Sequence, residues 1–204
     1  MSPRKAAVLR DGGPSLRDHL LGTAARLIAE RGTAGLTVRL ISREAGVADG
    51  VLYNHFADKE ELLAHALRAH VQAVENGLHE LPEPGTGTVA ANLRTHLAYG
   101  LALHRGIVPA FAGLTGQPAV LARFAELSGP GPDWRDKLAD YLRAERDLGR
   151  LAPDAEVAAA ARMIVGVCHE AVVSVLLAGT ARQEPVDEAA VVAAVLRGIG
   201  PAPA

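Results

Sequence analysis

The chain has 204 residues, 49% of them apolar but only 3% aromatic, with a net charge of −2. Ala, Val and Leu supply most of the apolar content, which favours helices over sheet. One cysteine, Cys168, excludes an internal disulfide framework and fits a reducing cytoplasm. The near-neutral charge argues against a general nucleic-acid coat, yet it is uneven: nine Lys/Arg against seven Asp/Glu through Glu60, twelve against sixteen beyond. That asymmetry suits an N-terminal end facing DNA on an acidic body. No uninterrupted apolar run reaches 18 residues, so no membrane span is expected. No apolar segment follows Arg4, Lys5 and Arg10, so no signal peptide is expected either.

Residues 1–14 end in Asp11-Gly12-Gly13-Pro14, a tail hostile to helix. It is either a basic arm reaching phosphates or a plain loose terminus. Ser15 and Asp18 stand at capping-box spacing and open a first helix, with Leu16, Leu20, Ala24, Leu27 and Ile28 on one face. Gly32 closes it. Thr37 caps a second helix in which Leu40, Ile41 and Ala45 turn inward and Arg39, Ser42 and Arg43 outward. Gly46 makes a tight turn, and a third helix is predicted over 48–54. Asp58, with Glu61 three residues on, opens a long fourth helix. Two short helices about a glycine turn form a helix-turn-helix, a device that places a helix in the DNA major groove.

The run Leu81-Pro82-Glu83-Pro84-Gly85-Thr86-Gly87 is the clearest break and reads as a linker. Further helices are predicted at 88–104, 107–114, 118–128 and 134–148, with Gly106 and Pro109 as punctuation and Asp133/Asp136 as a cap pair. The stretch 154–178 is apolar on nearly every face, the pattern of a helix buried all round. In a protein this small, a second subunit would cover its outer side. A Val-rich helix over 187–198 follows. The expected fold is all-α, about nine helices: a tail over 1–14, a three-helix DNA-binding domain over 15–62, and a helical ligand-binding and dimerisation domain over 63–200.

The helix-turn-helix resembles the TetR (tetracycline repressor) family of bacterial transcription regulators. The residues that carry the likeness are Thr37, Ala45-Gly46-Val47, Leu52-Tyr53-Asn54-His55-Phe56 and Lys59-Glu60-Glu61-Leu62-Leu63. It covers about Leu20 to Leu67. The resemblance implies that the helix starting at Ala48 is the recognition helix, with Asp49, Gly50 and Val51 toward base edges. Thr37, Tyr53, His55 and Lys59 would approach phosphates, and Arg39 a guanine. Arg43 would add affinity. Two departures stand out. Ala48 replaces the usual Ser or Thr cap, and Asp49 puts a carboxylate near the groove with no Lys or Arg between 48 and 54. Specificity is then expected from Arg39, Asp49 and contacts of Val51 with thymine methyls.

The implied function is a repressor that binds a palindromic operator as a homodimer through 154–178 and 187–198 and is released by a small molecule. His96, Tyr99, His104, Phe111, Trp134, Met163, Cys168 and His169 are the polar-tipped or soft residues of the second half. They either line a ligand cavity, as such residues often do in that family, or pack as ordinary core. The other functional reading is a helical-bundle binding protein or enzyme with an unused helix-turn-helix. No catalytic constellation, cofactor motif or metal site is expected: no two histidines stand four apart. Cys168 in its Ala/Val setting reads as inert.

Overall fold

The computed structural model describes residues 15–178 and 185–199. The tail over 1–14 and the expected end of a helix at Gly179 lie outside them. All regular structure among the described residues is helical. The helices are α1 (Leu16–Arg31), α2 (Val38–Ala45), α3 (Asp49–Leu52), α4 (Lys59–Asn76), α5 (Val89–Ala112), α6 (Pro118–Ser128), α7 (Trp134–Asp147), α8 (Val157–Ala178) and α9 (Glu188–Ile199). They form two compact units. Of the described residues, the first holds those up to Asn76 together with Pro109–Gly129, and the second holds Gly77–Val108 and those from Pro130 on.

Local chemistry sets the helix ends of the first unit. Ser15 accepts from the Asp18 amide while Asp18 reaches back to the Ser15 amide, so two orphan donors of α1 are satisfied together. Thr37 accepts from the Leu40 amide at 3.1 Å and opens α2. Gly46 then adopts φ 72°, ψ 28°, the left-handed turn that sends the chain into α3. Ala48 has the extended backbone of a cap but no side-chain hydrogen bond, and α3 runs for only four residues rather than the predicted seven. Without a cap, nothing local extends that helix, and Tyr53 to His55 form a turn instead.

The first core is built from leucines at helical spacing. Leu20 and Leu27 of α1, Ile41 of α2, Leu52 of α3 and Leu62, Leu63 and Leu67 of α4 are almost wholly buried, with Phe56 beside them. α1 packs on α2 and α4, α2 on α3, and α4 on α6. Ser42, expected outward, is fully buried because its hydroxyl donates to the Val38 carbonyl at 2.9 Å within α2. The last turn of α5 joins this core through Ala110, and Leu114 just beyond it is fully buried.

The expected break between helices 88–104 and 107–114 is absent: α5 is one helix with Pro109 inside it. A proline there forfeits one hydrogen bond and crowds the carbonyl four residues back. Burial of Ala110 and the edge-on contact of Phe111 with Phe124, 5.1 Å between centroids, favour continuing the turn.

In the second unit, Leu93, Leu97 and Leu101 of α5, Leu138 and Leu142 of α7, and Ile164 of α8 form the core. α8 packs on both α7 and α9. The Pro/Gly run expected to be a linker is stapled down. Fully buried Glu145 accepts from the Gly85 amide at 3.2 Å and from the Tyr141 hydroxyl at 2.7 Å. Arg150 Nε stands 3.1 Å from the other Glu145 oxygen, close enough for an ion pair though poorly aligned for a hydrogen bond. The Arg150 guanidinium also donates to the Gly87 carbonyl at 2.8 Å. Asn92 donates to the Thr86 carbonyl at 2.8 Å.

α8 departs from expectation in its burial. Over Val157–Leu177 its mean hydropathy is 1.7, long and apolar enough to cross a membrane by length and composition alone. It is not buried all round, since Met163, Val173, Leu176 and Leu177 remain exposed on this single chain.

Two substitutions test the helix-turn-helix backbone. Gly46→Ala forces a side chain into the left-handed region and is expected to destabilise the chain by about 1–2 kcal/mol. Ala48→Ser restores a cap and is expected to stabilise it by about 0.5–2 kcal/mol. Guanidinium unfolding at unchanged slope reads both.

Candidate functional site

The exposed side of the helix-turn-helix gathers side chains from three helices and the turns between them. Thr37, Arg39 and Arg43 are exposed along α2, as are Ala48, Asp49 and Gly50 at the start of α3 and Tyr53 just after it. Val51, His55 and Lys59 are half-buried. Leu52 and Phe56 turn the other way, into the core. This alternation orients α3: its apolar side is fixed inside, so Asp49 and Gly50 face out.

The two residues expected to read bases meet each other. Arg39 Nε lies 3.7 Å from Asp49 Oδ2, and both side chains are largely exposed. The Asp49 carboxylate is therefore offset by a cation on α2, although α3 itself carries no Lys or Arg. His19 of α1 contacts the Ala45 carbonyl at 3.1 Å and so ties α1 to the end of α2. Arg26 adds ion pairs to Glu30 at 2.9 Å and to Glu44 at 3.9 Å.

The start of α4 shows a residue that sequence reasoning missed. Asp58 accepts from the Glu61 amide at 2.8 Å, as a cap should. The Glu61 side chain bonds the Ala57 amide at 2.7 Å, one residue before the expected partner. Asp58 is also gripped on both oxygens by the Arg123 guanidinium of α6, one arm at 2.7 Å. That grip holds the Asp58 carboxyl below the usual carboxylate range, assisted by the Glu61 amide. A bare carboxylate beside Lys59 would repel a phosphate, and Arg123 neutralises it. Sixty-five positions separate the pair, so no local pattern announces it. A cleft of about 370 Å³ in the same unit is lined by Glu61, His65, Arg123 and neighbours.

The residues expected to line a ligand site divide. Phe111 packs in the first unit against Phe124. Met163 is half-exposed at 54% and His169 is exposed, so neither is enclosed. Five others lie on neighbouring helices of the second unit. His96 is 2% exposed and stacks on Tyr141 with 4.4 Å between centroids. Burial pushes it down to about 4, so it is neutral near pH 7. Tyr99 lies 6.2 Å from the Trp134 ring, and His104 meets the indole edge-on at 5.6 Å. The His104 ring also hydrogen-bonds the Gly100 carbonyl at 2.7 Å and lies 4.5 Å from His169. Cys168 is buried, which pushes its thiol up to about 12 and keeps it unreactive near neutrality. Among the described residues, no three His, Cys, Asp or Glu side chains come together as a metal site would require.

Residues 20–66 match the family model described as bacterial regulatory proteins, tetR family. The repressor KstR2 of Mycobacterium tuberculosis strain H37Rv is 50% identical over 54 residues, 26% of this chain and 27% of that protein. The sequence match thus spans about a quarter of the relative's length. Among solved structures, a TetR-family transcriptional regulator of Mesorhizobium loti superposes with a TM-score of 0.67 at 17% identity, over 91% of this chain and 96% of its own. The flavonoid-responsive regulator FrrA does so with a TM-score of 0.63 at 24% identity, over 92% and 98%. The sequence likeness is confined to the DNA-binding end, while the likeness of fold runs through nearly the whole chain. Residues 20–66 are thus similar in sequence to the DNA-binding end of the TetR family of bacterial regulatory proteins, and the chain as a whole shares the fold of the regulators it superposes on.

Proposed function

We propose that this chain is a transcriptional repressor of the TetR type. It binds a palindromic operator as a homodimer in the cytoplasm and leaves it when a small molecule occupies the second unit. The observation that carries this reading is the helix-turn-helix itself. Its core residues hold α3 with Asp49 and Gly50 outward, and Thr37, Arg39, Arg43 and Tyr53 stand exposed around it. In this assignment α3 enters the major groove. Arg39, Asp49 and Val51 set sequence preference, and Thr37, Tyr53, His55 and Lys59 contact phosphates, which position without specifying. The Arg39–Asp49 pair ties the two base-reading groups together, so their effects on preference are coupled.

Support for the dimer comes from α8. Ala159, Met163, Gly166, Val173 and Leu177 are exposed at helical spacing on one side, broken by one charge at Glu170. An exposed apolar stripe of that length marks an interaction surface. Its small residues let two helices approach closely, and a two-fold pairing sets one α8 against its copy. The apolarity of α8 is in this reading that of a subunit interface rather than of a bilayer span. A ligand releases DNA only if it binds the two states with different affinity.

Three outcomes are expected. In mobility-shift assays with genomic fragments, the protein retains specific fragments at low salt; loss of all binding there sinks the repressor reading. Lys59→Ala weakens every site alike and lowers the salt slope by about one unit, whereas Arg39→Ala changes base preference at one position, a cost of about 1–3 kcal/mol. In light scattering the chain runs as a dimer and Val173→Glu/Leu177→Glu as a monomer.

A further inference from the structure

The second unit buries polar atoms that the fold itself does not use. Within it α5 and α7 pack antiparallel: His96 meets Tyr141, and four residues later Gly100 meets Trp134. The absent side chain of Gly100 is what admits the indole, since a Cβ there would overlap the Trp134 ring. In this layer both ring nitrogens of His96 and the indole Nε1 of Trp134 have no hydrogen-bond partner. His96 is 2% exposed and Trp134 7%. Unpartnered buried polar atoms destabilise a fold, and Leu or Phe at position 96 would fill the same volume without that cost. Retention of these atoms points to an occupant that uses them.

We infer that His96 and Trp134 are the polar contacts for an uncharged, mainly apolar ring compound bearing a carbonyl and a hydroxyl, held among α5, α7 and α8. The inference rests on the effector reading above and names the chemical class of that effector. The donor pattern follows from the side chains: a neutral imidazole offers one N–H and one acceptor, and an indole offers only an N–H. A ligand that satisfies both supplies two acceptors and one donor. The flat surroundings follow from Tyr99, Tyr141 and His104, whose rings flank the two residues. The absence of charge follows from the site's balance. Among the described residues, Glu145 is the fully buried carboxylate of this unit, and it is already paired with Arg150 and bonded to Tyr141 and Gly85. Among the described residues no buried counter-charge is left over for an ionic ligand, whose desolvation would go uncompensated.

Trp134 is the sole tryptophan of the chain, so its emission reports on this site. The experiment titrates the full chain with 4′-hydroxyflavanone, uncharged near pH 7, and in parallel with stearate and choline. The expected result is saturable quenching by the flavanone, at least tenfold tighter than either ion. His96→Leu is expected to raise Tm by about 2–6 °C, as removal of unsatisfied buried atoms should in a chain of this size. The same change weakens the flavanone at least tenfold. Trp134→Phe, followed by calorimetry, weakens it several-fold. If His96→Leu does not yield soluble protein, His96→Phe carries the same comparison. A lower Tm in both variants shows an imidazole that holds the fold and overturns the inference. Absence of saturable quenching, or equal binding of either ion, also overturns it. Flavanone binding that leaves the DNA complex intact would instead overturn the effector reading while the assigned ligand class stands.

Discussion

The outward face of this chain depends on a helix that cannot hold itself. α3 is four residues long, a single turn, and its cap position carries an alanine. One turn fixes several dihedrals for one hydrogen bond and is unstable in isolation. Its position is therefore imposed from behind, by Leu52 and Phe56 sunk into the leucine core of α1 and α4 and by the left-handed Gly46 ahead of it. The surroundings serve the same constraint. His19 fixes the end of α2, and Arg17 lies over the Phe56 ring at 4.9 Å from its centroid. A rigid scaffold holding a short, locally weak element is the usual way to present binding groups precisely enough to matter.

Charge is managed in pairs rather than by excess. The helix-turn-helix carries two carboxylates where an anionic partner would be disfavoured, Asp49 and Asp58, and each has an arginine from another helix. Arg39 is nearby in sequence and exposed, so its pair is easily exchanged for another partner. Arg123 comes from α6 and grips Asp58 with both arms. The first is suited to recognition and the second to holding α4 in place. The second unit pairs its carboxylate too but buries it wholly: Glu145 stands against Arg150 and accepts from Gly85 and Tyr141.

Much of this was legible in the sequence because it is local. Capping pairs act over three residues, so Ser15/Asp18, Thr37 and Asp133/Asp136 announce helix starts without help from the fold. Gly46 and the leucine spacing are equally direct. What was not legible is non-local. Pro109 looks like a stop until the burial of Ala110 and Leu114 is weighed against it. Gly85–Gly87 looks like a linker until Glu145 and Arg150 arrive from sixty residues away. In α8 apolarity on every side erases the periodicity that would separate buried Cys168 from exposed Met163 and His169. The same absence of a local signature hid Arg123.

The division into two units has a consequence for anyone who would take the chain apart. Each unit is assembled from two separate stretches, so the backbone passes between them at 76/77, at 108/109 and at 129/130. No single scission frees either unit intact. A fragment ending in the Pro/Gly run would keep α1 to α4 but lose α6, and with it the arginine on Asp58 and the wall behind α4. The complementary fragment would retain α6 with no α4 to pack on. Interleaving of this kind makes the two units depend on one continuous chain.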